Sequence, residues 1–151
     1  MDPNASGKSF APYEFRVERG KIKEFAGAIG DPNPLYRDPE AARRAGLPGI
    51  PAPPTLLRTF LYETPDAKDA LAVQDWSYIV HGEQEFEYLA PIYAGDVLTA
   101  QDRIVSVTEK ESRRAGKLQI GVIETTFTNQ RGEIVQIARR TLVETGKRIS
   151  E

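Results

Sequence analysis

Two places in the chain carry residue types that chemistry can use. The first is Asp31, which follows Gly30 and opens the run Asp31-Pro32-Asn33-Pro34-Leu35-Tyr36-Arg37-Asp38-Pro39-Glu40. A carboxylate fixed just past a helix end by Pro32 and Pro34 is held in one orientation at small entropic cost, as a group that binds and activates water requires. The same residues also suit an Asx turn or a cap for the following helix, and both readings stay open on chemistry alone. The second is His81, the chain's single histidine and its one side chain with an ordinary pKa near neutrality. A lone strand histidine is more often a structural hydrogen-bonding residue.

Other patterns break down on inspection. Gly7-Lys8-Ser9 looks like the end of a phosphate loop, but the upstream glycine is replaced by Asp2. Asp31 and Asn33 are followed by Leu35, which removes an oxygen ligand that a calcium loop needs. His81-Gly82-Glu83 resembles the start of a zinc deaminase signature, yet the chain has no cysteine to complete it. Without cysteine there are also no disulfides, thiolate nucleophiles or iron–sulfur ligands. No metal and no cofactor is expected.

The elements that position Asp31 and His81 can be read from periodicity. With 151 residues, 40% hydrophobic and 28% charged, the chain suits one globular domain. Its 20 Lys+Arg and 22 Asp+Glu give a net charge of −2 with no basic block, which argues against nucleic acid as a partner. With neither a signal-like start nor an apolar run that could span a bilayer, the expected compartment is the cytoplasm, with no membrane partner. Ile22, Phe25, Ala26 and Ile29 share one face of a helix within Val17–Ile29, which Gly30 stops. A short helix is predicted from Pro39 to Ala45, closed by Gly46. After the rigid Gly49-Ile50-Pro51-Ala52-Pro53-Pro54, the stretch Thr55–Tyr62 reads as a helix apolar around most of its circumference, hence one wrapped by other structure.

Four long strands are predicted near Ile79–Leu89, Val97–Val107, Leu118–Thr128 and Ile134–Val143. Turns at Ala94-Gly95-Asp96, Ala115-Gly116 and Asn129-Gln130-Arg131-Gly132 would join them as successive hairpins. In the first strand Gln84, Phe86 and Tyr88 share one face and His81, Glu83, Glu85 and Glu87 the other, the latter read as a solvated surface. Helices first and long strands afterwards give an α+β class, a curved antiparallel sheet wrapped around a central helix. The boundaries expected are an N-terminal tail over 1–12, the domain over 13–146 and a C-terminal tail over 147–151. The open edge or face of such a sheet would be covered by dimerisation.

Gly30, Asp31, Asn33, Pro34 and Leu35 match a hydratase motif that reads approximately G-D-x-N-P-[LIV]-H. Together with Gly49-Ile50-Pro51-Ala52-Pro53-Pro54-Thr55 and His81-Gly82-Glu83-Gln84-Glu85-Phe86-Glu87-Tyr88, it makes the chain resemble the MaoC-like hot-dog dehydratases, in their N-terminal, fatty-acid-synthase-type branch. The similarity runs from about Tyr13 to Glu144. It implies a single hot-dog domain, usually dimeric, that binds acyl thioesters of coenzyme A or acyl carrier protein. The reaction implied is reversible syn addition of water across a trans-2-enoyl thioester, the (R)-specific enoyl-CoA hydratase or 3-hydroxyacyl dehydratase reaction of fatty acid metabolism.

Two departures from the motif matter physically. Asp31 stands at the family's catalytic Asp, but Tyr36 occupies the position of its catalytic His. A free phenol near pKa 10 is only about 0.1% ionised at pH 7, so Tyr36 can donate a hydrogen bond but is a poor base. In related hydratases a His-Gly pair opens the central helix and offers a backbone N–H to the thioester carbonyl, whereas Pro53 and Pro54 have none. The N–H groups of Thr55 and Leu56 would then serve.

The expected roles are Asp31 activating water, Asn33 fixing the loop, Tyr36 or His81 assisting proton transfer, and Thr55 and Leu56 polarising the carbonyl. Arg43-Arg44 and Arg113-Arg114 could meet coenzyme A phosphates. The alternative is a non-catalytic subunit, lacking the histidine, that shapes the acyl site in a heterodimer with a catalytic hot-dog partner. A hot-dog thioesterase would bind the same ligand class.

Overall fold

The computed structural model describes residues 1–62, 66–112 and 116–146. In chain order the elements are β1 (Tyr13–Arg16), α1 (Arg19–Ala28), α2 (Pro39–Arg44), α3 (Asp66–Ala70), β2 (Ile79–Tyr88), β3 (Val97–Ser112), β4 (Gly116–Asn129) and β5 (Ile134–Glu144), with short 3-10 turns between them. The strands form one antiparallel sheet in the order β1-β3-β4-β5-β2. This is the α+β arrangement expected, with β2, β4 and β5 within two residues of their predicted bounds and β3 running five residues further, to Ser112. No described helix is long and apolar enough to cross a membrane.

One hairpin is not where the turn residues put it. β2 pairs with β5, not with β3, so the segment through Ala94-Gly95-Asp96 carries the chain across to β3 instead of folding β3 back on β2. The hydrogen bonds of that segment explain why. Gly95 N–H donates to the Val17 carbonyl, Val17 N–H to that of Asp96, and Ala94 N–H to that of Ile50, each at 2.8–2.9 Å. Partners distant in sequence therefore claim the turn.

β1 was not anticipated, although Tyr13 and Phe15 alternate with Glu14 and Arg16 as a half-buried strand should. It pairs with the start of β3, Phe15 opposite Leu98. Its Phe15 ring stacks on Phe60 with centroids 4.0 Å apart and meets Phe127 edge-on at 6.2 Å. The predicted wrapped helix is a 3-10 helix over Leu56–Tyr62. It opens by i to i+3 bonds, Leu56 N–H to Pro53 O and Arg58 N–H to Thr55 O. Leu56, Leu57 and Phe60 are buried in the main core. A second core gathers Ala67 and Leu71 with Ile104, Ile123 and Leu142.

The segment ahead of β1 lies against the sheet. Ala5 is fully buried, Gly7 N–H donates to Ile104 O at 2.8 Å and Phe10 N–H to Asp102 O at 3.0 Å. The tail expected over 147–151 lies outside the described residues, as do Arg113, Arg114 and the first residue of the Ala115-Gly116 turn.

Candidate functional site

The end of α1 sets the direction of the Asp31 loop. Gly30 takes φ +72, and the N–H groups of Gly30 and Asp31 return to the carbonyls of Gly27 and Ala26, a Schellman ending that only a residue tolerant of positive φ makes at low cost. Asp31 Oδ1 accepts from Asn33 N–H at 2.9 Å, and Asn33 Oδ1 accepts from Leu35 N–H at 3.1 Å. Arg37 Nη1 donates to the carbonyls of Asp31 at 2.6 Å and Asn33 at 3.3 Å, which clamps the loop from outside. The Asx-turn reading of Asp31 is thus realised through one carboxylate oxygen. Oδ2 has no hydrogen bond among the described residues and is the oxygen with which a water could be held.

Tyr36 closes the same loop and packs, half-buried, against the main core. Burial raises its pKa above the ordinary tyrosine value, and the negative charge of Asp31 raises it further. Asp31 and Tyr36 therefore form an acceptor and a protonated donor, an arrangement that orients water without a neutral-pH base.

Thr55 and Leu56 differ in what they can offer. The Leu56 N–H is bonded to Pro53 O at 2.9 Å and its residue is fully buried, so it is not the carbonyl-polarising group expected of it. The i to i+3 closure of the 3-10 turn is the reason. Thr55 is exposed, and its N–H meets no acceptor among the described residues. Next to these residues lies an apolar recess of about 360 Å³ between Ala52–Pro54 and Tyr88–Ile92, with Gln136 in its lining. Asp31, Asn33 and Tyr36 do not line it. Gln136 was missed, although a glutamine inside the apolar stretch Ile134–Ala138 was a signal that could have found it.

His81 is not brought to Asp31. β2 is irregular between His81 and Glu83, where the pairing slips by one residue, so His81 lies opposite Leu142 while Glu83 lies opposite Thr141. The bulge moves His81 off the face of Glu83, Glu85 and Glu87, a correction to the alternation read from sequence. It lines a separate recess of about 300 Å³ with Arg58, Lys68, Trp76 and Arg140, and with none of Asp31, Asn33, Tyr36, Thr55 or Leu56. Arg140 and Asp102 are buried, with Nη2 3.7 Å from Oδ2, and the Thr125 hydroxyl donates to Asp102 Oδ1 at 2.5 Å.

The glutamates are drawn together by Arg139, which reaches Glu85, Glu87 and Glu124. Arg43 and Arg44 are exposed and pair with Glu40 and Asp38. Among the described residues no group of three or more His, Asp or Glu could hold a metal.

Residues 4–138 match the profile of the FAS1-like dehydratase domain region. A UPF0336 protein of Saccharopolyspora erythraea is 40% identical over 149 residues, covering 97% of this chain and 92% of that protein. A chain of the C-terminally truncated HadBC (3R-hydroxyacyl-ACP dehydratase) complex from Mycobacterium tuberculosis is 31% identical with a TM-score of 0.77, covering 92% of this chain and 96% of that one. A protein described as a MaoC-like dehydratase is 28% identical with a TM-score of 0.78, over 93% of this chain and 42% of that one. The curved five-stranded sheet, with Leu56, Leu57 and Phe60 of the 3-10 helix buried in its core, is accordingly the hot-dog fold of the MaoC-like hydratases and dehydratases.

Proposed function

Since the chain belongs to the family of the FAS1-like dehydratase domain region, we propose that it serves the reversible hydration of a trans-2-enoyl thioester as the subunit that shapes the acyl site beside a second, histidine-bearing hot-dog chain. In hydration a water oxygen bonds to C3 and a proton is delivered to C2; in dehydration the C2 proton and the C3 hydroxyl leave together as water. The carrier is coenzyme A or acyl carrier protein. Asp31 Oδ2 would hold the water, Asn33 and Arg37 keep the loop in place, and Tyr36 donates a hydrogen bond.

The observation that carries this reading is Tyr36. Tyr36 takes the motif position of the family's catalytic histidine, and burial together with Asp31 raises its pKa, which keeps it protonated rather than basic. The chain's histidine lines another recess, which neither Asp31 nor Tyr36 lines. A further support is the likeness to a chain of HadBC, which is described as a complex.

The test is to assay crotonyl thioester hydration by this chain alone, by any histidine-bearing hot-dog chain that co-purifies with it from the native source, and by the two mixed. Activity that appears only on mixing supports the assignment. If this chain alone forms a homodimer that hydrates the substrate, and Asp31→Ala abolishes that activity, the subunit reading is overturned in favour of an enzyme active by itself.

A further inference from the structure

The recess beside Ala52–Pro54 contains a polar group that the fold itself does not use. Gln136 is 1% exposed and sits on β5 opposite Tyr88 of β2 and Phe127 of β4. Its Nε2 has no hydrogen-bond partner among the described residues. Buried amides normally meet a partner, because a dry donor has given up its hydration for nothing, and a leucine or methionine there would incur no such loss. The neighbours on β5, Val135 and Ala138, are buried and apolar, as a core position at this depth favours. An amide kept in that setting and lining a cavity points to a ligand that completes its hydrogen bonding.

We propose that Gln136 binds substrate, its side-chain amide donating a hydrogen bond to the carbonyl of an acyl thioester lying in this recess. The inference rests on the acyl-thioester function proposed above. The lining is otherwise apolar or aromatic, and no Lys or Arg contributes to it, so the ligand portion it accepts is neutral rather than a phosphate. A volume of about 360 Å³ holds a short length of chain around a carbonyl. Pro53 and Pro54 have no N–H, and that of Leu56 is taken by Pro53, so a side-chain amide supplies the buried donor that this end of the site otherwise lacks. Tyr88, whose pKa burial raises, remains a protonated second donor on the rim.

The experiment compares hexanoyl-CoA with hexyl-CoA, the thioether that lacks the carbonyl, by calorimetric titration of the chain together with any hot-dog chain that co-purifies with it. The wild type should bind the thioester about tenfold more tightly than the thioether, the worth of one well-placed hydrogen bond. Gln136→Leu and Gln136→Met should bind the two ligands equally, with thioether affinity unchanged. A wild-type preference that survives intact in both variants overturns the role of Gln136 and leaves the proposed function standing. A wild type that binds neither ligand overturns both.

Discussion

Asp31 raises the pKa of Tyr36: after burial, the carboxylate's charge is the second force that keeps this phenol protonated. The pair replaces an acid and a base with an acceptor and a donor. That exchange separates this loop from the hydratase motif it otherwise follows.

Its first consequence is a titration. Followed by absorbance near 295 nm, Tyr36 should ionise above the ordinary tyrosine range, and the Asp31→Asn variant should bring its midpoint down because a like charge has been removed. Tyr36→Phe deletes the transition and identifies it. An Asp31→Asn variant with an unchanged midpoint would show that the two groups do not interact.

Stability should follow the same sign. A group whose folded pKa is raised contributes fully below its unfolded pKa, near 10, and its contribution is lost as the pH climbs through the folded value. Tyr36 and Tyr88 are both raised. The melting temperature should therefore fall above about pH 10, and less steeply in a Tyr36→Phe/Tyr88→Phe variant; parallel curves for the two proteins would contradict this.

Restoring the base should restore chemistry. Tyr36→His puts an imidazole in the braced loop beside Asp31, and the chain alone should then hydrate crotonyl-CoA about 100-fold faster than the wild type, the lower end of what general acid–base catalysis contributes. The rate should depend on pH around the histidine pKa of about 6.5. Loss of enoyl absorbance measures it, and no gain in a folded variant would mean that the loop does not face substrate.

The buried ion pair makes a prediction about folding. Asp102→Asn removes the carboxylate 3.7 Å from the buried Arg140 guanidinium, at a cost of roughly 3–5 kcal/mol in urea denaturation. The double replacement Asp102→Leu/Arg140→Met should cost far less, since no charge is then left in the interior. Equal losses in the two variants would mean that the charges are not coupled.

Phe15, Phe60 and Phe127 join the β1 edge, the central 3-10 helix and β4. Phe60→Ala should lose about 3–5 kcal/mol. A double-mutant cycle of Phe15→Leu with Phe60→Leu should return a coupling of about 0.5–1.5 kcal/mol for the stacked pair.

The presence of the four long strands, the helix ending before Gly30 and the braced Asp31 loop were all legible in the sequence, because each depends on neighbours within a few residues. Alternation reports a strand's two faces, prolines remove donors at known places, and a glycine past a helix permits positive φ. The motif around Asp31 led to the family by the same local route, and its one replaced residue, Tyr36, indicated where the chemistry would be incomplete.

What only the tertiary structure decided was which local pieces meet. The pairing of β2 with β5 depends on hydrogen bonds that Val17 and Ile50 make with a turn far along the chain. The face of His81 turns on a one-residue slip before Glu83 that leaves the alternation outwardly intact. The meeting of Asp102 with Arg140 and the recess around Gln136 arise from packing across the fold. Local propensity acts over a turn or two, whereas burial and pairing are settled between segments scores of residues apart.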